Sequence, residues 1–385
     1  MDDKLVYLDN AATSFPKPES VYAAVNKALR ESCGNPGRSG HRISLSAGRI
    51  IDEARMLCAR LFHAQSPENI IFTNNTTTAL NLAIKGTIKP GDHVITSSLE
   101  HNSVARPLKF LEGEGVEVTK IPTDLYSGLD ALRIEEAIKP DTRLVVCTHI
   151  SNVTGTVNDI SAIGAVCRDK GVLFLVDAAQ SAGTRPIDVQ EMRVDMLAFP
   201  GHKGLLGPQG TGGLYVRPGT ELKTIIQGGT GTSSESLAQP ESMPEKFESG
   251  TLNTPGLVGL AAGIQFILEI GIERIEQWEA MLTNRLIEGI NSIDGVTIVG
   301  PGLNANRGSV VSISINKASS ADSALMMDAA FNIAVRGGLH CAPDAHRSAG
   351  TLESGGTVRI SPNYLNSEDD IDRCLSALEA CARSL

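Results

Sequence analysis

The sequence predicts an α/β protein: a large domain on a mainly parallel central sheet flanked by helices, then a smaller α+β C-terminal domain. Three observations carry this. Short apolar runs alternate with amphipathic stretches through most of the first 220 residues, the pattern of crossover units around a parallel sheet. From about Gln227 to Pro255 the composition shifts to Gly, Ser, Thr, Glu and Pro with little periodicity. Finally, 385 residues is more than one core usually holds, at roughly 100 to 200 residues per domain.

The expected strands are Ile70 to Thr73, His93 to Ser97, Val116 to Ile121, Leu144 to His149, Val172 to Asp177, Met196 to Phe199 and Gly213 to Val216. Helical patterns fall between them at Thr77 to Lys85, Ser103 to Glu112 and Ile160 to Lys170, with turn punctuation such as Lys89-Pro-Gly-Asp92. The stretch after Gln227 reads as a long surface excursion. Leu257 to Leu268 and Ile275 to Ile293 read as consecutive helices, the second long enough to bridge two domains. Val296 to Val299 and Val310 to Ile315 read as strands of the smaller unit, which ends in a helix from Ser367 to Ser384. The expected division is 13–256 for the large domain and 257–385, with 1–12, for the small one.

With 41% apolar and 20% charged residues, the composition is that of a globular protein and excludes a disordered or fibrous chain. A formal charge of -10 argues against tracking nucleic acid phosphates, but leaves room for one local anion site. Seven scattered cysteines do not make a disulfide framework, so reduced thiols and a cytoplasmic protein are expected. No secretory signal is visible, and no run approaches the roughly 18 apolar residues of a membrane span.

The residues that could carry chemistry cluster at strand ends. Val172-Leu-Phe-Leu-Val-Asp177 ends a buried strand in a carboxylate, where ligands of open α/β sheets sit, although an Asp there is also a common cap or turn former. Leu197-Ala-Phe-Pro-Gly-His-Lys203 runs into a small-residue loop holding one lysine. Such an amine is easily desolvated and becomes a nucleophile for carbonyls; an ordinary loop lysine is the bland reading. Together, Asp177 and Lys203 fit pyridoxal 5'-phosphate, whose aldehyde needs a lysine and whose ring nitrogen needs an acid. Phe72-Thr-Asn-Asn-Thr-Thr-Thr78 supplies a strand, a polar turn and a helix start, placing Thr76 and Thr77 where amides and hydroxyls could cradle a phosphate, or simply cap a helix. The glycine-rich Gly204 to Gly213 stretch lacks the Gly-Lys-Ser/Thr ending of a P-loop.

In these residues the chain resembles the class V aminotransferase group of fold type I pyridoxal-phosphate enzymes, and within it the cysteine desulfurase and selenocysteine lyase branch. The likeness runs through Tyr7-Leu-Asp-Asn-Ala-Ala12, Thr76-Thr77, Glu100-His101, Ser151-Asn-Val-Thr-Gly155, Val176-Asp-Ala-Ala-Gln180, Gly201-His-Lys203, Phe247-Glu-Ser-Gly-Thr251, Arg336-Gly-Gly-Leu-His-Cys341-Ala and Val358-Arg359. Each motif is short, but the ordered series is specific.

The resemblance implies that Lys203 binds the cofactor covalently and later moves the α-proton, that His101 stacks on the pyridine ring, that Asp177 pairs with its nitrogen and that Gln180 bonds its phenolic oxygen. Thr76, Thr77 and His202 would hold the phosphate, with Thr251 arriving from the second protomer of a homodimer. Arg359 would take the substrate carboxylate bidentately, Asn152 would assist at the carboxylate and ring oxygen, and His41 would lie near the substrate. Cys341 would attack the sulfur of bound L-cysteine, leaving L-alanine and an enzyme persulfide to be passed to an acceptor protein or small thiol. Arg336 and His340, nearby in sequence, would lower its pKa.

Two departures qualify this. Pro200 stands where many members carry a phosphate-binding serine, and proline offers neither hydroxyl nor N–H; Gly228-Gly-Thr-Gly-Thr232 is the expected compensation. Leu339 replaces a polar residue two before the cysteine, which leaves L-cysteine and L-selenocysteine both open as substrates, as does Pro343-Asp-Ala-His-Arg347. Selenocysteine lyase, or another class V aminotransferase-like enzyme, is therefore the alternative. A distant one is a metal-binding module using His340, Cys341 and His346, with loose spacing and no second Cys-x-x-Cys pair; no metal is expected on the main reading.

Overall fold

The structure is a computed structural model that describes residues 4–36, 40–232 and 234–384. A short strand, β1 (Val6–Tyr7), precedes helices α1 (Glu19–Glu31) and α2 (Arg42–Leu61). The expected alternation follows as β2 (Ile70–Thr73), α3 (Thr76–Thr87), β3 (His93–Ser97), α4 (Asn102–Glu112), β4 (Glu117–Ile121), α5 (Ala131–Ala137), β5 (Thr142–Thr148), α6 (Ile160–Lys170), β6 (Leu173–Asp177), β7 (Met196–Pro200) and β8 (Gly212–Val216). Two helices, α7 (Thr254–Ile270) and α8 (Ile272–Ile290), lead to β9 (Val296–Val299), β10 (Val311–Ile315), α9 (Ser320–Phe331), β11 (Ile333–Ala334), β12 (Arg336–Gly338), α10 (Pro343–Ser348), β13 (Thr357–Ile360) and α11 (Glu368–Ser384).

The central sheet has seven strands in the order β2-β8-β7-β6-β5-β3-β4. Only β8 runs antiparallel to its neighbours. The carboxyl ends of β2, β7, β6, β5 and β3 therefore share one edge. Register fixes that edge closely, pairing Thr148 with Asp177, Asp177 with Ala198, and Gly212 with both Thr73 and Pro200. Gly212 is required there: a Cβ would come within 2.9 Å of Asn75 C and Phe199 O, displacing the turn into α3.

Apolar residues cover both sheet faces. Ile51, Ala54, Leu57 and Leu61 of α2 pack on one, with Leu257, Leu260 and Ile264 of α7. Leu80, Ala83 and Ile84 of α3 and Val104 and Leu108 of α4 cover the other. A third core joins Leu282, Leu286 and Ile290 of α8 to β10, β13, α11 and β1. Since α7 belongs to the first core, the cores divide near Gly271 rather than between residues 256 and 257. Gly271 (φ +90°) is where the chain bends by 84° from α7 into α8. Ile275 lies in the large core and Leu282 in the small one, so α8 contributes side chains to both cores.

In the small unit β12-β13-β10-β9 form an antiparallel sheet, and β1 returns to pair with β11 in parallel. Among the described residues, the stretch after Gln227 carries no regular element up to α7. It is not wholly superficial, however: Glu248 is buried, accepts from Arg55 Nη1 and Nη2 of α2 at 2.7 and 2.8 Å, and takes the Phe72 amide at 2.7 Å. Among the described residues no single helix is long and apolar enough to cross a membrane.

Candidate active site

A cavity of about 220 Å³ opens at the carboxyl edge of the sheet, with Arg336, His340 and Arg359 of the small unit in its wall. Each wall follows from local folding. Asn75 caps α3, its Oδ1 accepting from Thr78 N at 2.9 Å, so the helix starts with Thr76 and Thr77 facing the cavity. The first-turn amides have no partner inside the helix, and Thr76 Oγ1 is buried without a hydrogen-bond partner. An unpartnered hydroxyl beside free amides at a helix N-terminus is a seat for an anion such as phosphate.

His101 caps α4 and forms part of the cavity wall. Its Nδ1 accepts from Ser103 N at 3.1 Å, which puts the ring proton on Nε2. Burial, with Lys203 second, pushes its pKa down to about 4, so the ring is neutral at pH 7. Asp177, at the end of β6, accepts from Ala179 N at 2.9 Å through Oδ1. Burial raises its pKa, while that amide and the Lys203 cation oppose the shift. Lys203 lines the same cavity, and burial followed by Arg359 pushes its amine down to about 8.

The N-terminal segment holds the Lys203 loop in place. Ser14 N and Lys17 Nζ donate to His202 O at 3.0 and 2.9 Å, and Ser14 Oγ donates to Lys203 O at 2.9 Å. His202 Nδ1 lies 3.1 Å from Thr13 Oγ1, and burial pushes its pKa down to about 4. Gln180 gives one amide hydrogen to Ala11 O at 3.0 Å. From the small unit comes Arg359, almost fully buried, whose Nη2 donates to Asp9 Oδ1 at 2.7 Å and Nη1 to Asn152 O at 3.3 Å, while Nε has no partner.

Cys341 lines an adjoining groove that shares Thr77, His101 and Ser103 with this cavity. It is exposed, and it and His340 both adopt left-handed backbone (φ +59° and +48°), a strained geometry that persists only when neighbours enforce it. Asn102 N donates to Cys341 O at 2.7 Å, Asn152 Nδ2 to His340 O at 2.7 Å, and His340 Nε2 reaches Thr357 O at 3.1 Å. Arg336 Nη2 is 3.9 Å from Cys341 Sγ.

The structure thus brings Thr76, Thr77, His101, Asn152, Asp177, Gln180, His202, Lys203 and Arg359 to one cavity. The single chain holds His340, Asn152, His41 and Thr251 as follows. His340 cannot assist the thiol with positive charge, because burial, with Arg359 second, pushes its pKa down to about 2 and leaves it neutral. Asn152 spends Nδ2 on the cysteine loop, so its amide positions that loop. His41 is exposed, caps α2 by accepting from Ser44 N at 3.2 Å, and does not line the cavity. Thr251 and Thr230 to Thr232 line a different cavity, of about 600 Å³, beside Arg55 and Glu248, so within one chain the 228–232 loop does not make up for Pro200.

The metal-module reading fails on geometry. His346 points its Nδ1 at Thr351 Oγ1 (2.8 Å) inside the protein, His340 faces Thr357, and Cys341 faces outward; among the described residues no three His, Cys, Asp or Glu side chains converge.

The chemistry is now specific: a phosphate seat, a central amine of lowered basicity, a buried acid and a buried arginine with an open edge. The aminotransferase class-V family model matches residues 6–374. The chain belongs to the class-V aminotransferase family. A probable cysteine desulfurase of Methanothermobacter thermautotrophicus is 40% identical over 383 residues, covering 98% of this chain and 94% of that protein. Another from Pyrococcus abyssi is 35% identical, with 100% and 96% covered. The apo cysteine desulfurase of Thermococcus onnurineus NA1 superimposes with a TM-score of 0.93 at 35% identity, covering 99% of this chain and 95% of that one. Cysteine desulfurase CsdA from Escherichia coli, in its S-sulfonic acid form, gives 0.88 at 28%, with 100% and 96% covered. Class-V aminotransferases depend on pyridoxal phosphate, and the buried Thr76 hydroxyl, the Lys203 amine and the Asp177 carboxyl fit that cofactor's three reactive ends.

Proposed function

We propose that this protein is a pyridoxal-phosphate-dependent cysteine desulfurase, converting L-cysteine to L-alanine and carrying the sulfur away as a Cys341 persulfide. The observation that carries the reading is that Lys203, Asp177, Thr76 and Arg359 line one cavity, and that the adjoining groove, which shares Thr77, His101 and Ser103 with it, holds an exposed cysteine on a strained, pinned loop. The bound cofactor supplies the electron sink that loosens bonds at the substrate Cα. Thr76, Thr77 and His202 would hold its phosphate, Asp177 its ring nitrogen and Gln180 its phenolic oxygen, and His101, a neutral imidazole, would flank its ring.

Arg359 binds the substrate carboxylate through its open edge and so orients the amino acid. Lys203 Nζ, neutral in an appreciable fraction near pH 8, takes and returns the proton at the substrate carbon. Cys341 Sγ, as thiolate beside Arg336, forms an S–S bond with the substrate sulfur as the C–S bond breaks. Cysteine and thiol give alanine and persulfide, so no external oxidant enters. Thr251 completes the phosphate cradle from a second copy of the chain. Thr230 to Thr232 share its cavity and would travel with it, offering hydroxyls where Pro200 has none. A soluble, cytoplasmic homodimer passing sulfur to an acceptor fits this reading.

The test is to incubate purified, cofactor-loaded protein with L-cysteine and dithiothreitol and to measure alanine and sulfide. Equal amounts of both are expected. Pyruvate or a keto acid in place of alanine would sink it.

A further inference from the structure

We propose that the groove leading away from Cys341 along α3 and α4 receives an acidic, cysteine-bearing peptide segment of the protein that accepts the sulfur, an inference that rests on the desulfurase reading above. The groove measures about 380 Å³ and has Cys341 in its wall. One side is a single stripe of α3, Thr77, Asn81 and Lys85, spaced four residues apart. The opposite side is α4, presenting Arg106, Pro107 and Phe110. No Asp or Glu lines it. On a chain with 44 acidic against 34 basic residues, that makes the groove a local exception.

The cations are not spent on other work. Among the described residues neither Lys85 nor Arg106 makes an ion pair; Lys85 Nζ instead lies 5.0 Å over the ring of Phe110, which is 58% exposed. With Arg336 at 3.9 Å from Cys341 Sγ, positive charge continues up to the reacting sulfur. A cationic groove on an otherwise acidic protein concentrates anionic partners there and steers their approach. From Thr77 to Lys85 the helix rises about 12 Å, the span of about four extended residues. A short acidic stretch flanking the acceptor cysteine matches both charge and length. Uncharged small thiols use neither feature.

In the transfer itself, the acceptor thiolate attacks the outer sulfur of the Cys341 persulfide, the S–S bond to Cys341 breaks, and Cys341 leaves as thiolate. The acceptor's proton passes to solvent. The step is a thiol–persulfide exchange with no net oxidation.

The probes are two capped peptides, Cys-Glu-Glu-Glu and Cys-Gln-Gln-Gln, offered to the cofactor-loaded enzyme with excess L-cysteine. Peptide persulfide is followed by mass spectrometry and alanine by amino-acid analysis, with dithiothreitol as the uncharged acceptor. The expected kcat/KM is about tenfold higher for the Glu peptide, and this advantage shrinks between low and high salt. Lys85→Glu/Arg106→Glu should abolish or invert the preference while leaving the dithiothreitol rate unchanged. Should that pair fail to fold, Lys85→Gln/Arg106→Gln and the salt series on the natural protein measure the same electrostatic preference. Equal use of both peptides, a preference that survives the substitutions, or transfer to dithiothreitol alone would overturn the docking proposal. Absence of alanine with dithiothreitol would instead overturn the desulfurase reading.

Discussion

Arg359 Nη2 and Asp9 Oδ1 lie 2.7 Å apart, an ion pair joining β13 to the segment just after β1. Residues from the two ends of the chain thereby meet at the substrate-binding edge of the cavity. Asp9 and the Asn152 carbonyl fix the guanidinium plane, leaving Nε without a partner. Asp9→Asn removes the charged acceptor but keeps the shape. The expected result is a KM for L-cysteine raised about tenfold, the cost of roughly 1.4 kcal/mol, with a smaller change in kcat. Arg359→Lys, which cannot form a bidentate pair, should raise KM by more. Steady-state kinetics on both variants check this.

The lowered Lys203 pKa has a visible consequence. Only the neutral amine captures an aldehyde, and with the group pushed down to about 8 the neutral fraction rises through that pH. In cofactor-free protein the rate of pyridoxal phosphate capture, read by visible absorbance, should climb from about pH 7 and level off above about pH 9. An unshifted lysine would still be climbing at about pH 10. Lys203→Ala should show neither the absorbance change nor any alanine production.

Cys341 is set apart from the other six thiols. It is exposed and flanked by Arg336, whereas Cys58, Cys147, Cys167, Cys374 and Cys381 are buried and Cys33 is half-buried. Burial pushes the pKa of each of those six upward. One equivalent of iodoacetamide at pH 7 should therefore label Cys341, found by peptide mapping, and abolish turnover with L-cysteine. Cys341→Ala should lose L-cysteine desulfuration by at least about a hundredfold while retaining the cofactor absorbance. Retained activity of that variant on L-selenocysteine, whose selenium leaves more readily, would show that only the C–S step needs the thiol.

Much of this was legible in the sequence because its signals are local. Buried β-runs give seven strands within a residue or two, and Asp177, Thr76 and Lys203 follow from where strands end. What the sequence hid depends on spatial return. The helices α1 and α2 are amphipathic, but α2 carries Arg55 among its buried residues, and that guanidinium is accommodated only because Glu248 comes back to meet it almost two hundred positions later. The neutrality of His340 has a similar origin, since its ring is buried and its Nε2 lies 3.1 Å from Thr357 O of β13, a strand distant in sequence. The part proposed for Thr251 rests on resemblance alone, because no pattern within one chain announces a residue that would serve another.

Glu100 illustrates a residue whose motif was visible and whose role was not. It stands next to His101, is buried, and through Oε1 accepts from Ser97 Oγ and from Thr148 N (3.0 Å), while Oε2 has no partner. Burial first, with the Asp177 charge adding to it against those hydrogen bonds, pushes its pKa up to about 8. At pH 7 it is therefore mostly a neutral acid, which keeps a second negative charge away from Asp177. A carboxyl whose folded pKa is raised stabilises the fold fully below its unfolded pKa of 4.5, and that stabilisation is lost as pH rises through about 8. Glu279, pushed up to about 7 by burial, acts in the same direction. Below about pH 6.5 the buried neutral histidines His101, His202 and His340 pull the other way, so the carboxyl contribution is read as a difference: the urea-unfolding stability of the natural protein minus that of Glu100→Gln should fall as pH rises from about 5 to about 8, and the difference against the Glu100→Gln/Glu279→Gln pair should fall by more. Glu100→Ala should cost about 1–3 kcal/mol at pH 6, because it strands the Thr148 amide and the Ser97 hydroxyl. A slope unchanged by Glu100→Gln would mean that the carboxyl is ionised in the folded protein, and that Asp177 faces a like charge across the strand end.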